Sequence, residues 1–147
     1  MTQTSKQIVL DTFAAFRTRD PAAIATCFTE DAQWIYPHGN ATAVAIGVDD
    51  GVMDRAGIVR FITEDFGRLF TDVSMDISGL YADGDRVIME ERFRARLPNG
   101  RDYDNAYCFV FELQDGKVRR MREYMDTLGG YRQVFGEATV TPQGALI

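Results

Sequence analysis

The sequence predicts an α+β domain from three observations: apolar residues recur at helical spacing through the first half, the period changes to two after Phe70, and no linker separates the halves. The 147 residues suit one domain, with a core over about residues 5–135 and a short tail at 136–147. A domain that size buries roughly 68–70% of its unfolded surface, so it needs no disulfide or metal staple.

Ser5 is positioned to cap a first helix in which Ile8, Val9, Thr12, Phe13 and Phe16 form one stripe. Asp20-Pro21 reads as the cap and first turn of a second helix that carries Ile24, Cys27 and Phe28 inward. The aromatic and branched run Ala32–Pro37 predicts a short strand stopped by its proline, with His38-Gly39-Asn40 as the exit. Residues 40–53, with Asn40, Gly47, Asp49-Asp50 and Gly51, keep no period and predict a mobile loop, of a length at which functional lids occur. A third helix, capped by Asp54, sets Ile58, Phe61, Ile62, Phe66, Leu69 and Phe70 on one side. Four antiparallel strands follow. Val73, Met75 and Ile77 alternate with polar residues, and Asp83-Gly84-Asp85 turns into a strand over 86–97. Pro98-Asn99-Gly100 leads to a strand with Asn105, Tyr107, Phe109, Phe111 and Leu113 on one side, and Gln114-Asp115-Gly116 to a last strand over 117–126. In the 86–97 strand, one face reads Val87, Met89, Phe93, Ala95 and Leu97, the other Ile88, Glu90, Arg92, Arg94 and Arg96.

Composition narrows the function. A net charge of -6 argues against a nucleic-acid partner, which needs clustered Lys and Arg. Two cysteines and one histidine build neither a disulfide framework nor a multi-histidine metal site, and no other feature calls for a cofactor. No run approaches a membrane span and the N-terminus carries no apolar signal segment, so a cytoplasmic protein without membrane partners is the expectation.

The stretch from Asn105 to Thr127, ending in Arg122-Glu-Tyr-Met-Asp126, together with Phe28-Thr-Glu-Asp-Ala32 after the first helix, resembles SnoaL-like proteins of the nuclear transport factor two and ketosteroid isomerase superfamily. The resemblance implies a cone-shaped barrel: three N-terminal helices packed in a curved, mostly antiparallel sheet that encloses an apolar pocket. It also implies departures, with Tyr36 where the isomerases keep a basic aspartate, Thr12 where they keep a tyrosine donor, and Arg94 where related epoxide hydrolases keep a second aspartate.

Within that frame the catalytic candidates are Asp126, matching an acid or base of SnoaL-like cyclases, His38 as the one imidazole, Tyr36 as a hydroxyl donor and Arg92 as a guanidinium for a planar oxygen pair. Trp34, Phe61, Glu90, Asn105, Tyr107 and Tyr124 are the substrate-binding candidates. Each has a structural alternative: Asp126 caps the segment after it, His38 belongs to a loop, Trp34 and Tyr36 are core, Glu90, Arg92 and Arg94 form a solvated face, and Asn105 serves an internal network. Two functions follow. One is a cofactor-independent isomerase, cyclase or lyase using Asp126 on a small apolar carbonyl-type or polyketide-like substrate. The other is a non-catalytic module that binds a small hydrophobic molecule or dimerises. If the charged face of the 86–97 strand lines the pocket, the Val87–Ala95 face lies outside, and the sequence then predicts a homodimer burying Met89 and Phe93.

Overall fold

A computed structural model describes residues 3–48 and 50–136, so Asp49 and the tail from 137 onward lie outside the described residues. Helix α1 (Ser5–Thr18) is capped by the Thr4 hydroxyl, one residue before the expected Ser5, and buries Val9, Thr12, Phe13 and Phe16. Helix α2 (Pro21–Thr26) starts at Asp20 as expected, because that carboxylate accepts from the Ala22 N–H. Strand β1 (Phe28–Ile35) begins earlier than the aromatic run. The 40–53 segment is not a bare loop: the Asn40 side chain caps a one-turn helix α3 (Ala41–Ala45), and β2 (Val52–Asp54) pairs with β1. Sequence periodicity cannot register elements this short.

The third helical stripe holds a break. Helix α4 (Arg55–Arg60), capped by Asp54 through the Gly57 N–H, passes into a π turn (Phe61–Asp65) and then α5 (Phe66–Leu69). A π turn widens the helix by one residue, and such turns concentrate at functional sites. The meander runs through β3 (Thr71–Asp83), β4 (Arg86–Arg96), β5 (Asp102–Gln114) and β6 (Lys117–Met125), and α6 (Thr127–Phe135) closes the described chain.

The six strands form one curved, unclosed sheet in the order β2-β1-β6-β5-β4-β3, antiparallel throughout except where β1 lies parallel to β6. The α+β class and the four-strand meander are as the sequence predicts. The condition on which the expected homodimer rested, a charged inner face on the 86–97 strand, is not met. Val87, Met89, Phe93 and Ala95 are buried in the concave core, while Ile88, Glu90, Arg92 and Arg94 point outward. Arg92 pairs with Asp104 at 2.6 Å and Arg94 with Asp76 at 3.2 Å, so the charges neutralise one another at the surface rather than in an apolar pocket. Met89 and Phe93 therefore cannot be a dimer surface. Burying each stabilises the core by about 1.5–3 kcal/mol, which the outward orientation would forfeit. Ile77, on the edge strand, is also outside the core at 44% exposure, where the β3–β4 register shifts.

Candidate functional site

A cavity of about 420 Å³ opens between the concave sheet and the helices, within the usual size of small-molecule sites. Aromatic side chains build most of its wall. Trp34 stacks on Phe16 and meets Phe61 and Phe109 edge-on, and Phe66, Phe70 and Phe93 continue the wall toward β3.

Two acids break this apolar lining. Glu91 occupies the inward phase of β4, directly opposite Tyr107 on β5, and Glu123 occupies the inward phase of β6, opposite Phe109. Tyr107 and Phe109 thus separate two carboxyls that lie two strands apart on one concave surface. Both are buried, at 4% and 8% exposure. Burial pushes Glu91 up to about 7, because the charged form loses water that nothing replaces. Burial likewise pushes Glu123 up to about 8, the charge of Glu91 adding to it.

Two donors moderate that rise at Glu123. Asn40 Nδ2 donates to its Oε2 at 2.8 Å, and the indole N–H of Trp34 favours the charged form from nearby without completing a hydrogen bond of its own. Asn40 is held for this task, since its Oδ1 accepts from the Thr42 N–H at 2.9 Å as the cap of α3. Among the described residues Glu91 has no such neighbours, and its Oε2 is buried without a partner there. A buried oxygen left open beside an open cavity is available to a ligand.

A second polar group reaches the wall through a directed chain. Asn105 Oδ1 accepts from the Ala106 N–H at 2.9 Å, and its Nδ2 donates to the Asp126 carbonyl at 3.0 Å and to the Tyr103 hydroxyl at 3.2 Å. Those partners fix the amide orientation, so the Tyr103 oxygen is an acceptor there. Tyr103 lies 2.7 Å from the Tyr107 hydroxyl and is buried at 2%. Either hydroxyl of that pair can donate to the other, and Tyr107 is the one that lines the cavity.

Of the residues expected from sequence, Trp34, Tyr36, Phe61 and Tyr107 line the cavity. Asn105 stands behind the wall in the network just described. Asp126 is exposed and outside the cavity, where its carboxylate caps α6 by accepting from the Gly129 N–H at 2.8 Å. His38 is exposed beyond β1 with its ring against Gly51. Glu90, Arg92 and Tyr124 share the outer face of the sheet. Glu91, Glu123 and the role of Asn40 were not foreseen. The signal was present: Val87, Met89, Glu91, Phe93 and Ala95 place one acid in the apolar phase of a strand, and Met121-Arg-Glu123 does the same in β6. Among the described residues no group of three or more His, Cys, Asp or Glu side chains is arranged to hold a metal ion, and no helix is long and apolar enough to cross a membrane.

Comparison with known proteins agrees with this geometry at the level of fold. The SnoaL-like domain model matches residues 9–121. Solved structures with the same architecture include an NTF2-like protein from Burkholderia thailandensis, at 25% identity and a TM-score of 0.72 over 86% of this chain and 94% of that one. A putative SnoaL-like polyketide cyclase from Jannaschia superposes with a TM-score of 0.71 at 16% identity over 91% and 96% of the two chains. A hypothetical protein with a ketosteroid isomerase-like fold from Catenulispora acidiphila, in complex with trimethylamine, does so at 0.67 and 20% identity over 92% and 97%. A search of curated proteins finds no significant match.

Proposed function

The chain belongs to the SnoaL-like domain family, and from that premise we propose that it is a cofactor-independent acid/base enzyme acting on a small apolar carbonyl compound, with Glu91 and Glu123 in place of the aspartate expected from sequence. The observation that carries this reading is the pair of cavity-lining carboxyls held near neutrality, one of them with an open buried oxygen. Burial raises both carboxyls and the charge of Glu91 raises Glu123 further, so the two titrate as a coupled pair that passes through a state sharing one proton. One member is then a base and the other an acid at the same pH.

The open Oε2 of Glu91 assigns it the base. It takes a proton from the carbon beside the carbonyl, the C–H electron pair moves to form the enolate, and charge gathers on the carbonyl oxygen. The Glu123 O–H and the Tyr107 O–H are the donors for that oxygen, and donors fixed in a dry cavity stabilise developing charge more than water does. Returning the proton at a different carbon gives isomerisation; attack of the enolate on a second carbonyl gives cyclisation; loss of a β substituent gives a lyase. All three start from the same proton transfer.

The test is hydrogen–deuterium exchange at the α carbon of small cyclic and aryl ketones, followed by NMR. The protein is expected to accelerate exchange with a pH optimum between about 7 and 8, and Glu91→Gln to remove about 10²–10⁴-fold of the acceleration. Trp34 is the one tryptophan and lines the cavity, so its fluorescence reports occupancy. Ketones that perturb Trp34 yet exchange at the buffer rate would reduce the protein to a binding module.

A further inference from the structure

The charged groups of the cavity are segregated. Its two acids are buried, whereas its two arginines, Arg17 and Arg19, are exposed where α1 ends. Every arginine on β4 and β6 has an acidic partner, and neither Arg17 nor Arg19 has one among the described residues. In a chain of net charge -6, two arginines without an acidic partner among the described residues thus border an apolar cavity, and the guanidinium whose place there is fixed by contacts is that of Arg19.

Arg19 is also held in place. Its backbone is left-handed, with φ of 57°, its Nη1 donates to the Ile62 carbonyl in the π turn at 3.1 Å, and its guanidinium carbon lies 4.7 Å from the centre of the Phe66 ring. That carbonyl uses one of five N–H donors, so the group is oriented with donors to spare. Arg17 suits the negative C-terminal end of α1. The helix field alone does not explain why it lines the cavity, nor why Arg19 reaches across to a different element.

We propose that the ligand of this cavity is an apolar acid: a ring or branched hydrocarbon body lying among the aromatic side chains, with an anionic oxygen group on Arg17 and Arg19 at the mouth. The inference rests on the reading that the cavity is the ligand site and adds the chemical class of what enters it. A guanidinium matches carboxylate geometry, and its charge acts over a distance that salt shortens. The anion at the mouth also fixes which end of the ligand enters first, bringing the uncharged end to Glu91 and Glu123.

The experiment is calorimetric titration of the intact protein at pH 7 with three ligands of one shape: 2-naphthoate, the neutral 2-naphthamide, and the cationic 2-naphthylmethylammonium. Naphthoate is expected to bind about ten-fold tighter than the amide in low salt, with the margin shrinking as Debye screening rises. The cation is expected to be weakest. Arg17→Gln and Arg19→Gln should each reduce the naphthoate margin, weakening the acid more than the amide, while Arg19→Lys, which keeps the charge, retains part of it. Equal affinity for acid and amide, a margin indifferent to salt, tightest binding of the cation, or no binding of any of the three would each overturn the proposal without using a variant. Preference for the acid with no α-proton exchange leaves this inference standing and removes the enzymatic reading; exchange on neutral ketones with no preference does the reverse.

Discussion

Moving a carboxylic acid from water to an aromatic interior favours its protonated form, and this sets the pH behaviour of the molecule at Glu91 and Glu123. Both have folded pKa values above the ordinary 4.5, at about 7 and about 8. The folded state then binds more protons than the unfolded state at intermediate pH, so stability is full below about 4.5 and declines as pH rises through about 8. Chemical denaturation at pH 5 and pH 9 should show this loss, on the order of a few kcal/mol. Glu91→Gln and Glu123→Gln should each flatten the decline, and variants that retain the full slope would place the titration elsewhere. Asp126→Ala separates the two kinds of acid: it should cost about 1 kcal/mol by uncapping α6 and leave that slope intact, read from the same denaturation curves. The buried pair was readable as single acids in an apolar phase. That one carboxyl of the pair lacks a partner was not, because partners come from strands and loops far apart in sequence.

At the scale of elements, α3 links a cap to the site. Asn40 spends Oδ1 on the helix N-terminus and Nδ2 on Glu123, so one side chain fixes both the start of α3 and the strength of an acid. Asn40→Asp should keep the cap, since a carboxylate also accepts from the Thr42 N–H. It removes the donor to Glu123 and sets another acid against it, so the Glu123 carbonyl stretch in the infrared should persist to higher pH than in the wild type. A stretch that titrates unchanged would mean that Asn40 serves the helix alone. The longer elements were legible in the sequence because repeated apolar spacing accumulates signal: α1, the α4–α5 stripe and the meander all fall where the pattern puts them. The one-turn α3, the three-residue β2 and the π turn were not, since one turn or one pair of bonds leaves no period, and tertiary contacts decide such segments.

For the whole molecule the open question in the sequence was which side of the sheet faces the helices. Alternation alone gives two faces and no sign. An apolar outer face requires a second copy to cover it, whereas the folded chain turns that face inward and leaves a charged surface that satisfies itself by ion pairs. A residual apolar row remains outside, where Tyr81, Ile88 and Val110 are cross-strand neighbours, with Tyr81 and Ile88 at 55% and 41% exposure. The homodimer expected from sequence is accordingly reassigned, as a proposal, from Met89 and Phe93 to this row. Phe93→Asp should lower the melting temperature steeply at every protein concentration, because it buries an unpaired charge among Phe66, Phe70 and Tyr103. Ile88→Asp should stay within about 0.5 kcal/mol of the wild type in the stability of the protomer, as outer substitutions do. In sedimentation it should convert a wild-type dimer to a 16.5 kDa species. A wild type that already sediments at that mass removes the dimer while leaving the inward orientation of Phe93 to be judged by melting alone. A Phe93→Asp variant as stable as Ile88→Asp would overturn that orientation, and with it the placement of Glu91 on the cavity wall, since the two residues share one phase of β4.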